Sequence, residues 1–324
     1  MNIKKGLPGV KENILLKNYT TFKIGGLAKY FLVAKSKEKI IKTISTAKKL
    51  NLPFFILGGG SDTLVSDRGF KGLVIKVESR MLKVEGSSIY AETGVSLSES
   101  VSTALENNLS GLEWAAGIPG TIGGAIYGNA GAFGKSIGDS VRKVEVYDLK
   151  DNKIKIFKKR NCKFGYRNSI FKRKKNLIVL SVTIQLKKGN KKEIEKKIKE
   201  HLEYRKKTQP LNFPSIGSIF KNPSPSQVFK KFGRASGFSA GELGEEDKSS
   251  SLSFAAARMI EKCGLKGKTI GKAKISEKHG NFIVNLGGAK TKDVKKLIKL
   301  VKQKVKSKFG IVLEEEIQYL GFKN

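Results

Sequence analysis

Two glycine-rich segments carry the strongest chemical signal in this chain. One, residues 57–67 (LGGGSDTLVSD), contains Gly58, Gly59, Gly60, Ser61 and Asp62. The other, residues 111–134 (GLEWAAGIPGTIGGAIYGNAGAFG), holds eight glycines among small and apolar residues with almost no charge. Glycine removes the side chain that would block close approach of a ligand, and successive N–H groups in turn conformations form concavities for anions such as a pyrophosphate. Gly58-Gly59-Gly60-Ser61 is not a P-loop, because no Gly-Lys-Ser/Thr follows it. The Gly117–Gly124 spacing, G-x-x-G-x-x-G-G, is not the Rossmann fingerprint either. Alone, each reads equally well as a tight turn. Paired and flanked by predicted strands, they favour a phosphate-containing dinucleotide held along its length.

Three other clusters have residue types that could do chemistry. Phe164–Ser169 (FGYRNS) sets the Arg167 guanidinium among aromatics; it is either a stacked surface arginine or a carboxylate or phosphate clamp, for which the arginine fork suits better than a lysine. Residues 216–223 (IGSIFKNP) place Ser218, Lys221 and Asn222 on a short element. A nucleophile elbow needs G-x-S-x-G, and the only histidines are His201 and His279, so Ser218 is a turn residue or a proton carrier rather than a triad nucleophile. Glu314-Glu315-Glu316 interrupts an apolar strand pattern over 311–320. Period-2 parity groups Glu315 with Ile311, Leu313 and Ile317, but it does not choose which carboxylate faces a site.

The elements that must position these residues alternate in the first half. Strands are expected over 30–33, 54–57, 72–77 and 88–92, with a helix over 37–50 whose Ile40, Ile41, Ile44 and Ala47 point inward. A second helix spans 97–107, and the glycine segment 111–134 follows as a loop. Antiparallel strands over 141–148, 153–158 and 177–186 lead into a periodic helix at 191–207 that stops before Gln209-Pro210, a domain boundary. Beyond it come the 215–223 element, a Ser/Gly-rich stretch at 224–253 with an acidic centre (the best candidate for a flexible insertion), and a helix at 254–263. A strand at 281–285, a helix at 291–309 with Thr291 as N-cap, and a strand at 311–320 complete the chain.

Composition bounds the rest. At 324 residues, with 39% hydrophobic and 28% charged residues, the chain can build two or three cored domains. No apolar run is long enough to span a bilayer, and the first residues lack a signal-peptide core; a cytoplasmic setting is expected. Cys162 and Cys263 make neither metal spacing nor a disulfide framework. The net charge of +36 comes from 64 basic residues, only nine of them Arg and the lysines spread throughout. Nucleic-acid readers concentrate charge and rely on Arg, so general lysine usage, with some steering of anionic substrates, is the better reading.

Taken in order, these segments resemble the UDP-N-acetylenolpyruvoylglucosamine reductases of bacterial peptidoglycan synthesis, over nearly the whole chain. Asn18–Gly26 (NYTTFKIGG) is similar to the family's opening N-T-[FL]-x-[IV]-G-G, and residues 57–75 and 111–134 to its two glycine loops. Phe164–Lys172 resembles FGYR-S-FK, Gly217–Pro223 resembles GS-FKNP, 260–285 resembles the IEK…HGNFIVN stretch, and 313–321 resembles L-x-x-E-[IV]-x-x-x-G. The family departs from this chain at Asp62, where Asn is usual, at Phe133, where Tyr is usual, and at 224–253, where a short link is usual. Within that insertion GFSAGELGEE is similar to a second copy of the family's A-G-x-L-I-E element. The short path from Arg167 to Ser218 resembles the subgroup without a tyrosine-bearing lid loop.

The resemblance implies an α+β fold: a PCMH-type FAD-binding domain of two subdomains over 1–205, as in vanillyl-alcohol oxidase, then a smaller substrate-binding domain over 206–324. It implies non-covalent FAD held by Gly58, Gly59, Gly60, Ser61, Asp62, Gly117, Pro119, Gly120, Thr121, Gly123, Asn129, Ala130 and Gly131, and NADPH as hydride donor. Ser218 becomes the proton donor, Arg167 and Glu316 the stabilisers of the charged intermediate, and Tyr166, Lys221 and Asn222 the substrate-binding residues for UDP-N-acetylglucosamine enolpyruvate. No metal, nucleic acid or membrane is implied, and a monomer is expected. The competing readings are another flavoprotein of this fold reoxidised by oxygen, and a basic nucleic-acid-binding protein.

Overall fold

The computed structural model describes residues 3–232 and 255–322. The chain divides into two compact units. The first comprises residues 3–14, Ala28–Gly60 and Lys71–Arg205; the second comprises Leu15–Leu27, Ser61–Phe70 and the chain from Lys206 onward. Helices and sheets are mixed in each, an α+β fold.

The first unit has two cores. One lies under a four-stranded sheet ordered Lys11–Leu15, Leu27–Ala34, Phe70–Val77, Phe54–Leu57, the last two parallel. The helix Lys37–Lys49 covers it, started by Ser36, whose hydroxyl accepts the Lys39 N–H at 3.2 Å. Its apolar face buries Ile40, Thr43, Ile44 and Ala47, with Ile41 half-buried at the margin. The other core lies under an antiparallel sheet ordered Lys153–Lys158, Val141–Asp148, Leu177–Gln185, Ser88–Glu92, Leu82–Glu85. Helix Leu97–Glu106 and the glycine segment pack on it.

The glycine segment is more ordered than a loop. It contains a 3-10 turn at Glu113–Ala115, a helix Ile122–Gly128 and a tight hairpin joining Gly131–Ala132 to Lys135–Ser136. Glycine disfavours a helix by about 1 kcal/mol per residue, and tertiary packing overrides that here. A Cβ on Gly123 would fall 1.7 Å from Thr93 Oγ1, so only glycine lets this helix sit against the exit of the Ser88–Glu92 strand.

In the second unit an antiparallel sheet runs Ser215–Ser218, Phe282–Asn285, Ala273–Ile275, Thr269–Ile270. Helices Ala256–Lys262 and Thr291–Phe309 bury Met259, Ile260, Val294, Leu297, Val301 and Val305 in its core. Segments 15–27 and 61–70, expected with the first domain, belong here for visible reasons. Phe22, Ile24 and Leu64 join this core, and Thr63–Val65 pairs in parallel with Gln318–Leu320.

Two local expectations change. Thr291 does not cap its helix: its hydroxyl donates to Val65 O, while Asp67 accepts the Thr291 and Lys292 N–H groups at 2.9 and 3.2 Å. The strand expected over 311–320 is regular only at Gln318–Leu320, with one bridge between Phe220 and Glu315 upstream. At the start of the candidate insertion a helix spans Pro225–Phe232; the remainder, including GFSAGELGEE, lies outside the described residues. Among the described residues no helix is long and apolar enough to cross a membrane.

Candidate active site

The two glycine loops meet inside the first unit. A Cβ on Gly59 would lie 2.8 Å from Gly120 Cα, and one on Gly58 would lie 2.5 Å from Thr121 Oγ1. The Gly59–Gly120 contact is backbone to backbone, while Gly58 lies against the Thr121 side chain, so neither position has room for a Cβ. Among the described residues, the N–H groups of Gly59, Gly60 and Gly120 donate to no protein carbonyl. By contrast the first amides of the Ile122–Gly128 helix are spent on the protein: Ile122 N–H on Val95 O, Gly123 N–H on Thr93 O, and Gly124 N–H on Thr121 Oγ1. The loop amides, rather than the helix end, are the groups suited to an anion.

Two cations that sequence reasoning missed hold these loops. Lys76, directly across the parallel ladder from Leu57, donates its ammonium to Gly58 O. It is half-buried, and burial pushes its pKa down. A peptide unit is planar and trans, so fixing the Gly58 carbonyl on one side turns the Gly59 N–H to the other. Lys76→Met is expected to weaken FAD binding about tenfold, or ~1.4 kcal/mol, in a fluorescence-quenching titration; unchanged affinity would remove Lys76 from the cradle. The second cation, Arg205, is buried and donates from Nε to Ala116 O at 2.8 Å and from Nη2 to Trp114 O at 3.2 Å. These bonds fix the entry into Gly117. Neither signal is visible locally, since each bond spans many residues.

The remaining loop residues have different surroundings. Ser61 and Asp62 fall in the second unit, where Asp62 O accepts the Gln318 N–H at 2.8 Å. Gly131 and Ala132 pair with Ser136 and Lys135 across a two-residue turn that includes Phe133 at φ 52°. Phe133 stacks on His201 at 3.9 Å and carries the Arg205 guanidinium at 5.3 Å from its ring centre. Asn129, buried at the end of the Ile122–Gly128 helix, gives its amide to Gly165 O and accepts the Gly138 N–H.

Arg167 lies in the turn Gly165–Asn168, closed by reciprocal backbone bonds of 3.0 and 3.1 Å. Its φ is 49°, the left-handed region that costs a residue with a side chain about 1 kcal/mol. Its guanidinium sits 5.3 Å from the centre of the Tyr166 ring, and Tyr166 is itself exposed.

Ser218 ends the strand Ser215–Ser218, paired with Phe282. The residues after it are clamped by buried Asn281: Phe220 N–H donates to Asn281 Oδ1 at 2.9 Å, Asn281 Nδ2 to Phe220 O at 2.8 Å, and Ile219 N–H to Asn281 O at 2.9 Å. The same segment binds the glutamate run. Glu316 N–H donates to Ile219 O at 2.8 Å and Lys221 N–H to Glu314 O at 2.9 Å. The three carboxylates thereby separate. Glu314 pairs with Lys221 at 3.1 Å on the surface, and Glu315 pairs with Lys302 at 2.9 Å and accepts the Tyr319 hydroxyl. Glu316 is half-buried and tied, through its backbone, one residue from Ser218. Asn222 accepts the Ala256 N–H on its Oδ1 at 3.1 Å.

Asn281 rests in turn on His279, whose Nδ1 accepts the Asn281 N–H at 3.3 Å. Burial pushes the His279 pKa down, with Lys266 adding to this and Glu261 opposing it. The unfolded chain therefore binds the proton more readily, and this contribution to stability is complete above about pH 6.5 and is lost as pH falls toward the depressed folded value. His279→Gln is expected to reduce the fall in Tm between pH 7.5 and pH 5.5. An identical fall in parent and variant would contradict it.

With this geometry in view, known proteins supply the match. Residues 209–320 fit the domain family described as UDP-N-acetylenolpyruvoylglucosamine reductase, C-terminal domain, and residues 28–157 fit the FAD binding domain family. The UDP-N-acetylenolpyruvoylglucosamine reductase of Caldanaerobacter subterraneus subsp. tengcongensis is 44% identical over 95% of this chain and 92% of its own. That of Clostridium novyi is 39% identical over 96% and 92%. The crystal structure of the Thermus caldophilus UDP-N-acetylenolpyruvylglucosamine reductase superposes with a TM-score of 0.73 at 32% identity, covering 95% of this chain and 97% of that one. An FAD-binding half bearing the paired glycine loops, followed by a reductase-specific half bearing the Ser218 segment and the Glu316 run, places the chain in the UDP-N-acetylenolpyruvoylglucosamine reductase family.

Proposed function

We propose that this protein reduces UDP-N-acetylglucosamine enolpyruvate to UDP-N-acetylmuramate at the expense of NADPH, a step in peptidoglycan precursor synthesis. It works in the cytoplasm as a monomer, with no membrane or nucleic-acid partner. The carrying observation is the backbone-to-backbone approach of Gly59 and Gly120 in a chain 44% identical to a named reductase. FAD, held non-covalently by the two glycine loops, would supply the hydride chemistry, relaying hydride from NADPH to the β-carbon of the enolpyruvyl ether.

The chain's own residues hold and complete that chemistry. Amides of Gly59, Gly60 and Gly120 receive the pyrophosphate, with Gly58, Gly117, Pro119, Ser61, Asp62, Thr121, Gly123, Ala130 and Gly131 shaping the loops around it. Tyr166, Lys221 and Asn222 bind the sugar nucleotide, Lys221 exchanging its exposed partner Glu314 for substrate; surface ion pairs of this kind are worth little. Hydride addition puts negative charge on the substrate's α-carbon and carboxylate. Arg167 offers a fixed cationic fork to that carboxylate, and Glu316 shares a proton with it. The Ser218 hydroxyl then protonates the α-carbon. An alcohol is a weak acid at neutral pH, so its proton is replaced from a neighbouring acid or water. The role of Ser218 rests on the GS-FKNP match and on the rigid backbone Asn281 gives it.

Incubation with NADPH and the enolpyruvyl sugar nucleotide tests the proposal. Equimolar NADPH oxidation with a product carrying two additional hydrogens is expected. NADPH oxidation that tracks oxygen and leaves the sugar nucleotide unchanged would support an oxidase of the same fold instead.

A further inference from the structure

We propose that Asn129 is the positioning residue for Arg167 rather than a contact to the cofactor. The inference rests on the reaction above, in which Arg167 meets the substrate carboxylate. Asn129 is 7% exposed and sits at φ 48°, ψ 61°, closing the Ile122–Gly128 helix. Both heteroatoms of its amide are engaged within the protein. Nδ2 donates to Gly165 O at 2.9 Å, and Oδ1 accepts the Gly138 N–H at 3.0 Å. Gly138 packs closely on this amide: a Cβ there would lie 2.8 Å from both Asn129 Oδ1 and Phe164 Cγ.

Gly165 is the first residue of the turn that carries Arg167. A second tether holds the far side of that turn. Ser169 is fully buried, and its hydroxyl donates to Tyr127 O at 2.7 Å. Both ends of the turn thus hang from the last residues of one short helix, Tyr127 and Asn129. A side-chain-bearing residue persists at positive φ only where its surroundings over-determine it, and these two bonds do so for Arg167. The end of the glycine segment, which reads as more cofactor loop, is the mount of the substrate-facing arginine. Its asparagine also suits the left-handed position it occupies.

Asn129→Gly deletes the amide while keeping positive φ accessible. Asn129→Asp keeps the acceptor for Gly138 N–H but sets a second acceptor against Gly165 O. In both variants FAD affinity is expected within about threefold of the parent. Bleaching by NADPH should be little changed, while recovery of the flavin absorbance on adding the enolpyruvyl substrate slows about tenfold to a hundredfold. In an Arg167→Ala background the added Asn129→Gly should change that recovery less than about twofold, because the two act as one unit. Hydrogen exchange in the FAD-free protein gives a readout independent of turnover: the Gly165 and Asn168 amides should exchange faster in Asn129→Gly. FAD weakened more than about tenfold with both half-reactions slowed alike, full additivity with Arg167→Ala, or unchanged exchange at the turn would each overturn the proposal. Failure of the parent protein itself to recover absorbance with substrate would instead overturn the reaction on which it rests.

Discussion

Ser218→Ala is expected to leave bleaching of the bound flavin by NADPH within about threefold of the parent, and to slow recovery with the enolpyruvyl substrate by about a thousandfold, within the range for loss of a positioned acid. The asymmetry follows from where the hydroxyl acts. A proton is required only after hydride has reached the substrate, so loss of the donor burdens the second half-reaction alone. The substitution should not disturb the fold. The following residues are held by main-chain bonds and by Asn281, which bonds both the N–H and the carbonyl of Phe220, and none of these involves the Ser218 side chain. Rapid-mixing absorbance measurements of the two steps check this, and equal slowing of both would refute the role.

Gly59→Ala is expected to weaken FAD binding more than about a hundredfold, beyond ~2.7 kcal/mol, and to yield colourless protein. The new Cβ would stand 2.8 Å from Gly120 Cα, a backbone atom that cannot rotate away. The two loops must separate to admit it, and their amides then no longer converge. Gly128→Ala is the matched control. It lies in the other glycine segment, within a helix, with open space where its Cβ would go, and alanine favours a helix. That variant should bind FAD as the parent does. A yellow, tightly binding Gly59→Ala protein would show that the close approach is not needed for the cofactor.

These expectations also show what a single chain of residues makes legible. Gly58 and Gly59 could be picked out because neither has room for a Cβ, Gly59 against the Gly120 backbone and Gly58 against the Thr121 side chain. The amphipathic helix at Lys37–Lys49 and the strands Phe54–Leu57, Ser88–Glu92 and Val141–Asp148 announce themselves by periodicity. The failures share a cause, namely partners distant in sequence. Thr291 looked like a cap, but Asp67, 224 positions away, takes that role. The helix Ile122–Gly128 defies glycine's propensity because Thr93 needs the space. Parity could not sort Glu314–Glu316, since the segment pairs with the Ser218 element at one bridge and becomes a regular strand only at Gln318. Lys76, Asn129, Arg205 and Asn281 were missed as positioning groups for the same reason: each acts on a main-chain atom of a segment that sequence places far off.

The central claim is that one cofactor, cradled by the two glycine loops, carries hydride from NADPH to an enolpyruvyl sugar nucleotide. Anaerobic absorbance spectroscopy in two additions tests it most directly. Protein reconstituted with FAD should lose its oxidised-flavin absorbance on adding one equivalent of NADPH. It should regain that absorbance, without oxygen, on adding UDP-N-acetylglucosamine enolpyruvate. Bleached protein that stays bleached with the sugar nucleotide and recovers only on admission of oxygen would contradict the account.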